Sequence, residues 1–189
     1  MKKNKAIFLD RDGVINKDVG WLYKIKDITI LDGVPEAIKN LKEKNFFLVV
    51  ISNQPVIARG LATEEKIKEI NNTINKRLHK KIETGIGRFY FCPHHPNADL
   101  SEYRKSCDCR KPLPGMILQA SKDYDLDLRQ SWMIGDRISD IIAGKSVGCK
   151  TVLIKSEKNY EKIEGVEYDL NTEPDFKAGD LFEAAALIE

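Results

Sequence analysis

Ala6-Ile7-Phe8-Leu9-Asp10-Arg11-Asp12-Gly13-Val14-Ile15-Asn16 is the stretch around which the rest of the chain is arranged. Ala6 to Leu9 is a short apolar run, continuous rather than alternating, which is how a strand buried on both faces of a parallel sheet reads. It stops abruptly at Asp10. Two carboxylates spaced i, i+2 and followed by a glycine, at the C-terminal end of such a strand, stand where open α/β sheets place their ligand sites. Carboxylates this close repel unless a cation lies between them or one stays protonated, and that division makes a nucleophile and a general acid from one residue type. Gly13 lets the chain turn away with its amides facing the site.

Composition bounds the possibilities. The chain has 189 residues, 42% apolar and 32% charged, which fits one globular domain over 1–189 with a core of ordinary size. The formal net charge of +2 comes from lysines and glutamates spread along the chain. No basic block interleaves with aromatics, so composition makes no case for nucleic acid or a membrane surface. Lys76 to Lys81 reads as a solvated helix end. Nothing near the N-terminus resembles a signal peptide and no apolar run could span a bilayer, so the expected location is the cytoplasm and the expected state a monomer. Four cysteines, Cys92, Cys107, Cys109 and Cys149, are in that compartment better read as thiols or metal ligands than as disulfides.

Outward from the first strand, Lys17 to Ile30 reads as a small hairpin or flap over the site. Asp32-Gly33-Val34-Pro35 opens a helix ending near Asn45. Phe46 to Ile51 is a second buried strand that ends in Ser52-Asn53-Gln54. Thr63-Glu64-Glu65 caps a long helix whose buried stripe is Ile67, Ile70, Ile74 and Leu78. Arg88 to Cys92 is a third strand, and residues 93–112 form a loop of about twenty residues with no periodicity, long enough to imply a function or an anchor other than packing. A helix from Pro114-Gly115 to about Tyr124, a strand over Ser131 to Ile134, a helix from Ile138 to Val147, a strand over Lys150 to Ile154 and a closing helix from Asp180 to Ile188 complete the pattern. Lys155 to Phe176 is uninformative. Alternating strands and helices predict an α/β, doubly wound, mainly parallel sheet, with Asp10, Asp12, Ser52 and Asp136 converging at one edge.

With these residues placed, the chain resembles the haloacid-dehalogenase (HAD) superfamily of phosphotransferases. Asp10-Arg-Asp12-Gly matches its first motif, Ser52 its second, Lys111 its third, and Gly135-Asp136 with Asp140 its fourth. The resemblance implies a Rossmann-like fold without a large cap domain, Asp10 as the nucleophile forming an aspartyl phosphate, and Asp12 as the acid and then the base. It implies Mg²⁺ held by Asp10, the backbone carbonyl of Asp12 and Asp136. Lys111 and Ser52 would hold the non-bridging oxygens, with Asp140 in support by orienting Lys111 or a metal-bound water.

Within the superfamily, Cys92-Pro-His94-His95-Pro and Cys107-Asp-Cys109-Arg110-Lys111-Pro112 look like the zinc loop that the small heptose-bisphosphate phosphatases share with histidinol-phosphate phosphatases. Cys92, His94, Cys107 and Cys109 would make a closed structural Zn²⁺ site over 92–109, with His95 the rival to His94 and Cys149 a small core residue. Arg59, Arg110 and Arg137 are more cations than one phosphoryl group at Mg²⁺ requires, which favours a sugar bisphosphate over histidinol phosphate. Asp18-Val19-Gly20-Trp21 aligns with a substrate-contacting turn of the family, and Ser52, Asn53, Gln54 and Pro55 with its phosphate loop. The resemblance covers roughly Ala6 to Ile154. It implies removal of the 7-phosphate of a D-glycero-D-manno-heptose 1,7-bisphosphate, in heptose precursor synthesis for lipopolysaccharide or capsule. Histidinol-phosphate phosphatase is the alternative within the class, and a zinc-stabilised binding module or a phospho-accepting signalling domain the alternatives outside it. One departure stands out: the family usually has Asn-Gln-Ser-Gly-Ile-Ala-Arg-Gly where this chain has Asn53-Gln54-Pro55-Val56-Ile57-Ala58-Arg59-Gly60, which puts sugar orientation and anomer in doubt.

Overall fold

The computed structural model describes residues 4–159, 169 and 171–189. Six strands form one sheet: β1 (Ala6–Leu9), β2 (Phe47–Asn53), β3 (Arg88–Cys92), β4 (Trp132–Gly135), β5 (Lys150–Ile154) and β6 (Phe176–Ala178). Every pairing is parallel and the order is β3-β2-β1-β4-β5-β6. The direction of winding reverses between β1 and β4, so a crevice opens at their C-terminal ends, where Asp10 and Asp136 begin.

Alternation along β1 explains the layers. Ile7 and Leu9 pack with α1 (Val34–Glu43), α3 (Glu64–Ile82) and α6 (Leu181–Leu187), whereas Ala6 and Phe8 pack on the opposite face with α4 (Gly115–Tyr124) and α5 (Ile138–Ser146). The central strand β1 is covered on both sides, which is why it reads as an unbroken apolar run. The long helix α3 starts as its sequence predicts: Thr63 Oγ1 accepts from the Lys66 amide at 3.2 Å, and two glutamates follow.

One expectation is corrected and two elements are added. Lys17 to Ile30 is a closed loop with a 3₁₀ turn at Ile25–Asp27 rather than a hairpin, pinned at its neck by the Asn16–Ile30 bridge. The Asn16 side chain reinforces the two backbone hydrogen bonds there: its Oδ1 accepts from the Thr29 amide and its Nδ2 donates to the Lys17 carbonyl, both at 2.7 Å. A one-turn helix, α2 (Pro55–Ala58), follows β2 directly, with Pro55 at the first helical position, where a missing amide breaks no helical hydrogen bond. The short strand β6 lies in a stretch without a periodic signal, because its three residues, exposed or half-buried at the sheet edge, carry no apolar run. Of the uninformative segment 155–176, residues 160–168 and 170 lie outside the described residues.

Candidate active site

The loops after β1, β2 and β4 meet over the switch point and enclose a cleft of about 360 Å³, the size of a small-molecule site. Its floor is Asp10, Ser52, Lys111 and Asp140. The Lys111 Nζ lies 2.9 Å from Asp10 Oδ1 and 2.6 Å from Asp140 Oδ1, and donates to the Ile51 carbonyl at 2.9 Å. Burial works against the ammonium, but the two carboxylates outweigh it and hold its pKa above the usual lysine value. Lys111 is therefore a fixed cation at the place where phosphate oxygens would gather.

The carboxylates carry the opposite strain. Burial, opposed by Lys111 and reinforced by Asp140, pushes the Asp10 pKa up. Burial first, then Asp10 and Asp140, raises Asp136 to about 8. Asp136 Oδ1 is buried and has no partner among the described residues. Oxygens of Asp10, Asp136 and Asp140 all lie within 4.8 Å of one another. Three clustered carboxylates, one of them orphaned, fit a hard divalent cation, and Mg²⁺ is such an ion. Two glycines make the crowding possible: a Cβ on Gly13, which has φ +87°, would stand 2.4 Å from Asp136 Oδ2, and one on Gly135 would stand 2.2 Å from Asp140 Oδ2. Asp140 also accepts from the Arg137 amide at 3.0 Å, so it caps α5 with one oxygen and meets Lys111 with the other.

Asp12 faces the cleft, its carboxylate held by Arg11. The fully buried guanidinium donates from Nη2 to Oδ2 at 2.7 Å and from Nε to Oδ1 at 3.2 Å. Arg11 escaped the sequence reading because an arginine between two aspartates looks like a solvated charge; nothing local says that it turns inward.

Cys92, His94, Cys107 and Cys109 converge beside the site. Their sulfurs are 3.1–3.5 Å apart, and His94 Nδ1 lies 3.5 Å from Cys109 Sγ and 3.9 Å from Cys92 Sγ. A tetrahedral Zn²⁺ with Zn–S near 2.3 Å needs donors roughly 3.8 Å apart, so three sulfurs and one imidazole nitrogen fit that ion. Hydrogen bonding from Cys92 lowers Cys109 to about 5, while hydrogen bonding to Cys109 and burial push Cys92 far up. His95 stays out of the cluster: its Nδ1 accepts from the Asn97 amide at 3.1 Å and the residue lines the cleft. Cys149 is buried among core residues.

The outer cleft is cationic. Arg59, Arg110, Arg137 and Lys158 line it, together with Asp18, Gly20, Trp21, Asn53 and Pro55. Arg110 is nearly buried, its Nη1 donating to the His94 carbonyl at 3.2 Å while its Nε has no partner among the described residues. Arg59 is tied to Asp99 at 3.2 Å. Lys158, in the stretch without sequence signal, meets Asp18 Oδ2 at 2.6 Å. Two expected substrate contacts do not line the cleft. Val19 is exposed at the tip of its turn, beside Gly20 with φ +79°. Gln54 is turned inward, where its amide is used by Asp12, Arg11 and Ser52.

Residues 108–184 match the HAD-hydrolase-like family model. The chain is 40% identical over 155 residues to the D-glycero-beta-D-manno-heptose-1,7-bisphosphate 7-phosphatase of Haemophilus ducreyi, covering 82% of this chain and 85% of that protein. It is 41% identical over 159 residues to the enzyme of the same name from Escherichia coli strain K12, covering 83% and 82%. Among solved structures it superposes with TM-score 0.80 and 29% identity on D,D-heptose 1.7-bisphosphate phosphatase from B. bronchiseptica, crystallised with magnesium and phosphate, over 97% of both chains. Relatives this similar over most of their length place the chain in the family of HAD phosphatases to which the D-glycero-beta-D-manno-heptose-1,7-bisphosphate 7-phosphatases belong.

Proposed function

We propose that this protein is a Mg²⁺-dependent phosphatase that hydrolyses the 7-phosphate of D-glycero-β-D-manno-heptose 1,7-bisphosphate and leaves the 1-phosphate in place. The observation that carries the substrate is Arg110, a nearly buried guanidinium that lines the outer cleft and whose Nε has no partner among the described residues, a cation in addition to Lys111 and suited to a second anion. Histidinol phosphate, an ammonium carrying one phosphate, would face these cations with repulsion.

In the first step an Asp10 carboxylate oxygen attacks phosphorus, the ester bond breaks, and Asp12 gives its proton to the sugar oxygen. In the second, water gives a proton to Asp12 and attacks phosphorus, which releases inorganic phosphate and restores Asp10. Lys111 and the Ser52 hydroxyl hold the non-bridging oxygens as charge builds on them. Mg²⁺, held by Asp10, the Asp12 carbonyl and Asp136, offsets the charge repulsion between nucleophile and phosphate. Cys92, His94, Cys107 and Cys109 would hold Zn²⁺, which when bound would fix the loop that carries Arg110 and Lys111. Pro55 removes one amide from the cleft end of α2, so the sugar is oriented by Asp18, Gly20, Trp21 and the arginines more than by this helix. By its proposed place in heptose precursor synthesis we take the enzyme to be a single-domain monomer of the cytoplasm.

The test is phosphate release from both anomers of the heptose bisphosphate, other sugar bisphosphates and histidinol phosphate, with and without Mg²⁺. The highest kcat/KM is expected on the β-heptose bisphosphate and only with Mg²⁺; a higher value on histidinol phosphate overturns the substrate.

A further inference from the structure

Asn71 lies within the buried face of α3, beside Ile67, Ile70 and Ile74, and is itself only 5% exposed. A polar side chain in a packed helix face is costly unless its hydrogen bonds are made. Its Oδ1 accepts from Arg11 Nη1 at 3.0 Å. The same guanidinium grips both Asp12 oxygens and donates from Nη2 to Gln54 Oε1 at 2.8 Å. Gln54 Nε2 in turn donates to Asp12 Oδ2 at 3.2 Å and to Ser52 Oγ at 2.8 Å. The Asp12 side chain keeps 20% exposure toward the cleft. The planar fork of Arg11 is thus anchored on α3 at one end and holds the proposed acid at the other.

We propose that Asn71 is a positioning residue: acting through Arg11, it sets the direction in which Asp12 presents its oxygens to the leaving group. The proposal rests on the phosphatase reading above. An arginine fork fixes a carboxylate only if its own plane is fixed, and Asn71 supplies the contact that Asp12 and Gln54, both at the site, cannot. Without it the guanidinium can rotate and carry Asp12 with it, and a displacement of about 1 Å at a reacting group is enough to slow the step it serves.

The consequence depends on the leaving group. A sugar alkoxide must receive the Asp12 proton as the P–O bond breaks, whereas p-nitrophenolate leaves without one. The value of kcat/KM reports the steps through formation of the aspartyl phosphate, so it isolates this proton transfer. With Mg²⁺ saturating, Asn71→Ala and Asn71→Leu should lower kcat/KM about tenfold on heptose 1,7-bisphosphate, a fraction of what a positioned acid contributes. The same variants should stay within about twofold of the parent on p-nitrophenyl phosphate. Asn71→Asp keeps an acceptor oxygen opposite Arg11 and should return the sugar phosphate value to within about threefold of the parent. Equal losses on the two substrates, or none on either, in the Ala and Leu variants would overturn the positioning role. A parent enzyme inactive on every sugar phosphate would instead remove the phosphatase reading, and this inference with it.

Discussion

The side chain of Asn53 and the backbone of Lys111 exchange two hydrogen bonds, Nδ2 donating to the Lys111 carbonyl and Oδ1 accepting from its amide, each at 3.0 Å. This bridge joins the end of β2 to the long loop and fixes where the lysine side chain enters the floor of the cleft. Asn53→Ala should cost about 2 kcal/mol of stability, at about 1 kcal/mol per bond. Because Lys111 then loses its register, kcat should fall at least about tenfold with a smaller change in KM. Chemical denaturation and steady-state kinetics on one preparation check both.

Asp10→Asn removes the nucleophile but not its shape. Burial already opposes the charged form of Asp10, so the neutral amide should fold as well as the parent while turnover is abolished. Circular dichroism and phosphate release measure the two effects; appreciable residual turnover would exclude Asp10 from the role.

If the cysteine cluster holds zinc as proposed, Cys107→Ser should lose the metal, and activity with it, because Cys109 and Lys111 are two residues apart on one loop. Elemental analysis of the purified variant decides the matter. One zinc retained per chain would refute the ligand set.

Asp136 gives stability a pH dependence in the metal-free protein. Its folded pKa, about 8, lies above that of an unfolded aspartate near 4. Between those values the folded chain binds a proton that the unfolded chain does not, so this contribution is present in full below about pH 4 and is lost as pH rises toward 8. The difference in unfolding free energy between the parent and Asp136→Asn should therefore move against the parent from pH 5 to pH 8.5, and Mg²⁺ should diminish it. A difference independent of pH would show that Asp136 titrates normally.

Arg110→Ala tests the second anion. If its guanidinium receives a phosphate away from the reacting centre, KM for a sugar bisphosphate should rise about tenfold or more, while KM for the matching monophosphate changes little, since a charge-assisted hydrogen bond contributes about 1.5–3 kcal/mol. Parallel KM measurements separate this from general damage to the loop.

Much of this architecture is legible in one dimension. The apolar runs of β1, β2, β4 and β5 are short, and the first three of them lead into Asp10, Ser52 and Asp136, so both the parallel sheet and its functional edge can be read from periodicity and from where it breaks. The resemblance gives Asp140 a supporting place beside Lys111 or a metal-bound water, and its Oδ1 lies 2.6 Å from the lysine Nζ. The zinc-loop cysteines stand out because thiols at close spacing have few other uses in a chain of this kind.

Other features depend on which way a side chain turns. Arg11 and Gln54 sit in motif positions that suggest solvent or substrate, yet both are buried and hold Asp12. Lys158 reaches the cleft from a stretch with no pattern, because an ion pair with Asp18 140 residues away leaves no trace in local spacing. The order of residues determined the strands, the edge at which their polar ends gather and the chemical types found there. Only the folded chain decided which of those groups face the cleft, because burial and long-range hydrogen bonds are made between segments whose separation in sequence carries no record of the contact.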